Sequence, residues 1–326
     1  MTANVQLSKI TRREALARSG FVLGAALAGT PGVAATGEAA PAGAAEDRNG
    51  FTYCLNTGTI RGQKLGIVRE CEIAAKAGYQ AIEPWVEAID QYAKSGGSLS
   101  DLKARIADLG ITVEDAISFP EWLVDDEARR AKGMEKARRD MDLVAQIGGK
   151  RLAAPPAGAT GPDVLDLLKA SERYRELLEA GERIGIVPQL EIWGFSKNIH
   201  RLGQAAQVAI ETGHPNACVL ADVFHLYKGG GNPAGLRLMS GKMIQMFHMN
   251  DYPADPPREQ INDSYRIFPG DGVGPLSQML RDLRAIGGKQ VLSLELFNKK
   301  YYEQDALEVA KAGLAKMKAA VRLVEG

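Results

Sequence analysis

The segment VLSLELF, residues 291–297, has the composition of a β-strand buried on both faces, yet it contains an acidic residue, Glu295. A carboxylate in apolar surroundings is costly unless it is paired, hydrogen-bonded or bound to a cation. Three other apolar segments repeat the pattern: QLEIWG contains Glu191, VLADVFH contains Asp222 and MFHMND contains His248. These four polar residues stand in four successive predicted strands, so they bear on the fold and on the functional site together.

From residue 51 onward, short β-rich runs alternate with longer stretches of helical periodicity. The predicted strands lie near 51–56, 79–84, 111–118, 150–155, 186–192, 218–224, 243–249 and 290–296. The predicted helices lie near 64–77, 99–109, 125–147, 162–184, 199–212, 233–240, 275–286 and 305–323. Eight strand–helix units in order predict an α/β fold, a (β/α)₈ TIM barrel. An open sheet of six or seven strands is the alternative.

Composition narrows the class of protein. With 25% charged residues, 45% hydrophobic residues and a formal net charge of zero, the chain resembles an ordinary soluble globular protein. Without a basic field, neither a nucleic acid nor an anionic membrane is an expected partner. The odd number of cysteines (Cys54, Cys71 and Cys218) gives no disulfide framework and favours three buried thiols.

The first 48 residues differ from the rest. A basic segment with Arg12 and Arg13 precedes the short apolar run FVLGAALAG and an Ala/Gly/Pro-rich linker. This order predicts a twin-arginine signal peptide, although Ala15 stands where such signals usually have a bulky apolar residue. A disordered tail or an uncleaved membrane anchor is the alternative, and the apolar run is short for a membrane span.

The expected protein is therefore an exported, periplasmic one. The twin-arginine export machinery would be a partner, and no stable membrane insertion is expected after processing. Residues 49–326 are predicted to form a single TIM-barrel catalytic domain. The sequence leaves a homo-oligomer open.

Polar residues at the carboxyl ends of barrel strands face the catalytic mouth. Glu191, Asp222, His248 and Glu295 end predicted strands five to eight, so their side chains can converge. Three neighbouring carboxylates repel one another unless a cation is present. Three carboxylates and one imidazole favour Mn²⁺, with Mg²⁺, Co²⁺ or Zn²⁺ as alternatives. Four independently satisfied buried polar residues are the competing interpretation.

Further candidates lie close to these strand ends. The predicted substrate-binding residues are His225, Arg266, Glu83, Asp251 and Trp193. Arg258, in the same long loop as Arg266, is an alternative for the substrate arginine. His225 could instead lie at the surface at a helix start, and Trp193 could pack at the barrel rim.

The segments LEIWG, ADVFH, FHMND and LELF, in that order, together with GYQAIEPW and RIFPGDG, give the chain a family resemblance. It resembles the sugar phosphate isomerase/epimerase branch of the xylose isomerase-like barrel superfamily over nearly all of residues 51–323. The resemblance implies a metal site at Glu191, Asp222, His248 and Glu295. It also implies catalytic roles for Glu191 and Glu295, on either side of the substrate.

The activity implied is that of a divalent-metal-dependent sugar isomerase or epimerase. It would remove a proton beside a carbonyl of a small carbohydrate and pass through an enediolate. A metal-dependent lyase or dehydratase acting on a 3-keto sugar, a keto-glycoside or an inosose uses the same parts. A non-catalytic sugar-binding barrel is the alternative from a different class.

Overall fold

The computed structural model describes residues 50–324. All eight predicted strands are present, and each lies within its predicted range. The strands are Thr52–Asn56 (β1), Ala81–Glu83 (β2), Thr112–Val113 (β3), Arg151–Ala154 (β4), Val187–Glu191 (β5), Val219–Asp222 (β6), Met246–Met249 (β7) and Val291–Leu294 (β8). The strand that is shortened most is β3, which has two residues within the predicted range 111–118.

The strands form one parallel sheet in the order β3-β2-β1-β8-β7-β6-β5-β4. Beyond the end of β3, the backbone N–H of Ala153 in β4 donates to the carbonyl of Ala116 at 2.9 Å, which joins the two outer strands. Helices follow the strands along the chain, so the (β/α)₈ TIM barrel prediction is confirmed.

Strand register aligns polar residues of neighbouring strands near the carboxyl end of the barrel. Asp222 of β6 is the partner of His248 of β7, and His248 is the partner of Ser293 of β8. On β1, which pairs with β8, Asn56 is the partner of Glu83 of β2. Because alternate residues of a strand point to the same face, Glu295 lies on the same side as Ser293, one step nearer the mouth.

The helices are Ile67–Ala77 (α1), Val86–Lys94 (α2), Leu99–Asp108 (α3), Glu127–Gln146 (α4), Leu167–Ile184 (α5), Leu202–Glu211 (α6), Val223–Lys228 (α7), Leu276–Ala285 (α8), Lys299–Tyr302 (α9) and Ala306–Arg322 (α10). Short 3₁₀ segments occupy Thr57–Gln63, Pro233–Leu238 and Asp263–Tyr265. The helix expected near 233–240 is thus a 3₁₀ segment, with Pro233 at its start.

Three helices were not predicted: α2, α7 and α9. Each is short, and α2 buries only Val86 and Ile89, too few apolar positions for a clear helical period. Helix α7 begins directly at the end of β6, where Asp222 is its N-cap and accepts a hydrogen bond from the His225 N–H at 2.7 Å.

Arg12 and Arg13 lie outside the described residues, as does the whole predicted signal segment. Within residues 50–324, the helices are all too short or too polar to cross a membrane. The three cysteines are free and buried, in agreement with the sequence interpretation.

Glu70, in the first turn of α1, has an unusual environment. Its side chain is only 6% exposed, and its Oε2 atom makes no hydrogen bond within the described part of the chain. Burial raises the pKa of Glu70 from 4.5 to about 7, although a hydrogen bond with Thr57 and the charge of Arg61 oppose the change. The folded protein therefore prefers the protonated carboxyl group.

We expect Glu70→Gln to stabilise the protein at alkaline pH. The folded pKa lies above the unfolded value, so the stabilising effect of protonation is complete below about pH 4.5 and is lost as pH rises through about 7. At pH 8 the neutral amide should raise the free energy of unfolding by on the order of 2 kcal/mol, and at pH 4 it should change little. Chemical denaturation at both pH values measures this, with the exposed Glu87→Gln as control. Equal effects of Glu70→Gln at both pH values would contradict the assignment.

Candidate active site

Three of the predicted metal ligands lie close together at the carboxyl end of the barrel. One ligand atom each from Glu191, His248 and Glu295 lies within 4.8 Å of the other two, and all three residues are buried. Glu191 is the last residue of β5, His248 lies in β7 and Glu295 directly follows β8. The barrel therefore brings residues more than 100 positions apart into one group.

The imidazole of His248 is at the centre of this group. Its Nδ1 atom is buried and makes no hydrogen bond among residues 50–324. Three carboxylate oxygens surround it: Glu295 Oε2 at 3.1 Å, Asp222 Oδ2 at 3.6 Å and Glu191 Oε1 at 3.9 Å. A buried nitrogen without a partner, facing three carboxylates, fits a site for a divalent cation.

The opposite side of the ring is fixed by Glu83. His248 Nε2 lies 2.9 Å from Glu83 Oε1, and Glu83 Oε2 accepts hydrogen bonds from Ser293 Oγ at 2.5 Å and Asn56 Nδ2 at 2.8 Å. A carboxylate on the distal nitrogen of a ligating histidine fixes its orientation and tautomer. Glu83, expected at the substrate, is fully buried behind the His248 ring.

Asp222 is nearer to other partners than to the other predicted ligands. Besides its N-cap bond to His225, its Oδ2 atom accepts hydrogen bonds from Arg266 Nη1 at 2.7 Å and Asn250 Nδ2 at 3.0 Å. It does not belong to the group of three residues that lie within 4.8 Å of one another. Its role as a fourth ligand stays a prediction.

Arg266 provides the positive charge at this site. Its Nη1 atom donates to both Asp222 Oδ2 and Glu295 Oε2, each at 2.7 Å. Its Nε and Nη2 atoms donate to Asp263 Oδ1 at 3.0 and 2.6 Å, and Nη2 lies 3.0 Å from His225 Nε2. The side chain is 1% exposed, so one guanidinium links three acidic residues in a nearly dry environment.

Aromatic rings hold the same guanidinium from two sides. The Arg266 Cζ atom lies 4.9 Å from the ring centroid of Phe224 and 5.1 Å from that of Phe297. Arg258, the alternative candidate, is exposed, pairs with Glu259 at 3.1 Å and does not line the cavity described below. The structure therefore places Arg266 at the site.

Burial and charge shift the pKa values of these groups in opposite directions. Burial raises the pKa of Glu191 well above its usual range, and the charges of Glu295 and Asp222 add to this effect. Burial would lower the pKa of His248, but the carboxylates of Glu295 and Glu83 outweigh it and raise that pKa. Burial would raise the pKa of Asp222, but Arg266, His225 and His248 together outweigh it and lower that pKa.

His225 is held as a neutral ring. Burial lowers its pKa, although the charge of Asp222 opposes this change. The Gly194 N–H donates to His225 Nδ1 at 3.3 Å, and the Arg266 guanidinium faces Nε2. Since both ring nitrogens face donors, a doubly protonated imidazole does not fit here.

Asp251 organises a loop. Its carboxylate accepts hydrogen bonds from the N–H groups of Gly270, Gly272 and Gly274 at 2.9–3.1 Å. Its backbone forms an antiparallel bridge with Ile267, directly after Arg266. Asp251 was predicted to contact the substrate. The structure instead shows that its carboxylate accepts hydrogen bonds from the PGDG turn (residues 269–272) and from the following Gly274.

A cavity of about 140 Å³ opens onto these groups. Its polar and charged lining residues are Glu191, His225, Asp263, Arg266 and Glu295, of which all but Asp263 are buried. Its apolar walls contain Trp85, Ile117, Phe119, Trp193, Phe195 and Phe297. The predicted Trp193 thus lies at the cavity, together with the catalytic candidates and both His225 and Arg266.

Sequence reasoning missed Asn56, Ser293 and Asp263. Asn56 ends the buried strand TYCLN and so has the same signal as Glu191, a polar residue at the end of an apolar run. Ser293 lies inside VLSLELF, but a hydroxyl group in a strand gives little indication of function. Asp263 is one of several acids in a long polar loop, and nothing local distinguishes it.

Comparison with known proteins identifies the family. The model of the xylose isomerase-like TIM barrel family matches residues 71–320, and the chain belongs to this family. An inosose isomerase of Halalkalibacterium halodurans is 32% identical over 262 residues, which cover 79% of this chain and 92% of that protein. A 3-dehydroshikimate dehydratase of Pseudomonas putida is 26% identical over 247 residues, which cover 74% of this chain and 38% of the relative.

A solved structure supports the same fold. The crystal structure of the IOLI protein with a bound zinc atom superimposes with a TM-score of 0.77 at 24% identity. The match covers 84% of this chain and 99% of that one. The match supports the fold, and in the present chain it is the buried Glu191, His248 and Glu295 group that could hold a divalent metal ion.

We expect the purified protein to bind one divalent ion per chain, measured by titration calorimetry with Mn²⁺. His248→Ala should abolish binding because it removes the central nitrogen. Glu83→Gln should weaken binding by about 10- to 100-fold, because the ring loses the carboxylate that orients it. The exposed Glu172→Gln should bind as the wild type does. Unchanged affinity in His248→Ala would refute the site.

Proposed function

We propose that this protein is a divalent-metal-dependent sugar isomerase or epimerase that removes and returns a proton beside a carbonyl group. Mn²⁺ is the ion that the donor set favours. The proposal rests on one observation: Glu191 and Glu295 reach the same small cavity from β5 and β8, with His248 Nδ1 between them. The name of the Halalkalibacterium halodurans relative supports an isomerase.

The two glutamates differ in their surroundings, and this suggests different tasks. Glu295 accepts hydrogen bonds from Arg266 Nη1 at 2.7 Å and from Asn56 Nδ2 at 3.2 Å, so its carboxylate is fixed in place. Glu191 makes no side-chain hydrogen bond within residues 50–324, and burial raises its pKa. A carboxylate that is not held by other hydrogen bonds is free to exchange protons with a substrate carbon.

Glu191, His248 and Glu295, with Asp222 as the proposed fourth ligand, would hold a divalent ion, and this ion would supply Lewis-acid polarisation of a carbonyl. The chain provides the remaining functions. Arg266 presents a fixed positive charge to the cavity, where negative charge develops on an enediolate oxygen. The His225 ring lies next to it, with the Gly194 N–H at Nδ1 and the guanidinium at Nε2, and so helps to hold Arg266 in position.

A dehydratase is the second candidate. The name of the Pseudomonas putida relative supports it, and loss of a β-leaving group begins with the same proton removal beside a carbonyl. Substrates of this class include 3-keto sugars, keto-glycosides and inososes. A non-catalytic sugar-binding barrel is the third, and it would have no need for two glutamates at one cavity.

Proton exchange with solvent tests the proposal. Mn²⁺-loaded protein is incubated in D₂O with ketohexoses, 3-keto-glycosides and inososes, and NMR follows deuterium at each sugar carbon. We expect Glu191→Gln and Glu295→Gln to lower the exchange rate by about 100-fold or more, because each removes a proton carrier. Glu172→Gln is the control, and calorimetry establishes Mn²⁺ occupancy in each variant. Exchange at the wild-type rate in metal-loaded Glu295→Gln would contradict its assigned role.

We also propose, from the sequence alone, export through the twin-arginine route, which delivers a folded protein to the periplasm. Arg12 and Arg13 are the residues on which this proposal rests. In a bacterial host we expect Arg12→Lys/Arg13→Lys to keep the full-length chain in the cytoplasm, whereas Lys9→Arg is exported normally. Immunoblots of cell fractions measure this, and equal export of the double variant would contradict the signal.

A further inference from the structure

Two exposed phenylalanines stand at the mouth of the cavity. Phe119 is 38% exposed and Phe195 is 45% exposed, although both rings line the same cavity as Glu191 and Glu295. Single exposed apolar residues are common, but neighbouring ones beside a binding cavity mark an interaction surface. These two rings therefore need a ligand-based explanation.

The two phenylalanines belong to a continuous row of aromatic rings. Centroid distances are 6.1 Å for Phe297–Trp85, 5.2 Å for Trp85–Phe119, 5.8 Å for Phe119–Trp193 and 5.0 Å for Trp193–Phe195. The rings pack in edge-on and tilted arrangements, which are energetically favourable for aromatic pairs. Each exposed ring is thereby positioned by a tryptophan before any ligand arrives.

The size of the cavity limits what fits below the rings. About 140 Å³ is well under the roughly 300–1,000 Å³ of sites that enclose a drug-sized ligand. Glu191, His225, Arg266 and Glu295 are the buried polar lining residues, whereas the most exposed apolar lining residues are Phe119 and Phe195. A ligand that satisfies both regions has a small polar reacting part and an apolar group that remains outside.

We propose that the substrate is a sugar derivative with an apolar, preferably aromatic, substituent, and that Phe119 and Phe195 bind this substituent. The inference rests on the proposed function for the polar part of the ligand. Aromatic side chains offer large rigid faces, and stacking on them is worth about two- to tenfold in affinity. Phe119 and Phe195 are thus specificity-determining residues.

Binding of two unreactive glucosides tests this directly. Calorimetry compares phenyl β-D-glucopyranoside with methyl β-D-glucopyranoside on the Mn²⁺-loaded, full-length protein. We expect about tenfold tighter binding of the phenyl compound. Phe195→Ala and Phe119→Ala should each reduce this ratio toward one, whereas Leu238→Ala, an 85% exposed residue that does not line the cavity, should preserve it.

Three results would overturn the inference. They are equal affinities for the two glucosides, no measurable binding of either one, and a preference that survives in both phenylalanine variants. If light scattering shows that the variants turn a dimer into a monomer while the preference persists, the rings form a subunit contact instead. A phenyl preference without deuterium exchange in D₂O would support the aromatic binding surface and contradict the proposed reaction. Deuterium exchange without a phenyl preference would support the reaction and contradict the aromatic surface.

Discussion

Mutual repulsion among buried carboxylates is the constraint on which the rest of the site depends. Glu191, Asp222 and Glu295 all lie within 4 Å of one imidazole nitrogen, in an environment nearly free of water. Without compensation, such a group would favour neutral side chains. Arg266 compensates Asp222 and Glu295 directly, and Glu191 is left without a hydrogen-bonded cation. Strand register places Asp222 next to His248. The negative charge that this brings into the barrel is compensated by Arg266, which comes from a loop.

The same constraint explains why the two glutamates are not equivalent. Glu295 is held by Arg266 and Asn56, so its position is defined before a ligand arrives. The Glu191 carboxylate lies 3.9 Å from His248 Nδ1 and makes no side-chain hydrogen bond within residues 50–324. The His248 ring is oriented by Glu83, which contacts its Nε2 atom on the side away from the three carboxylates. A rigid support beneath a charged cavity is the arrangement that proton transfer at carbon requires.

Much of the fold and part of the site could be predicted from the order of elements. Parallel strands end at one face, so a polar residue at the end of an apolar run gives both an element and a location, as for Glu191 and Glu295. Local sequence does not indicate which way a side chain turns within that face. Glu83 and Asp251 have the same signal, yet Glu83 lies behind His248 and Asp251 binds three glycine amides. Loop conformation decides between Arg258 and Arg266, and no periodicity encodes it.

The bridge between Asp251 and Ile267 closes the intervening residues 252–266 into a loop with fixed ends. Arg266 lies immediately before this closure, so its position depends on the bridge and the PGDG turn more than on the path of the chain between them. Loop closure becomes only slowly less favourable as a loop lengthens. Residues 253–260, which are exposed or half-buried, can therefore change in length and composition while the guanidinium stays in place. The sequence of the loop is thus free to diverge, whereas the position of Arg266 at its end is fixed.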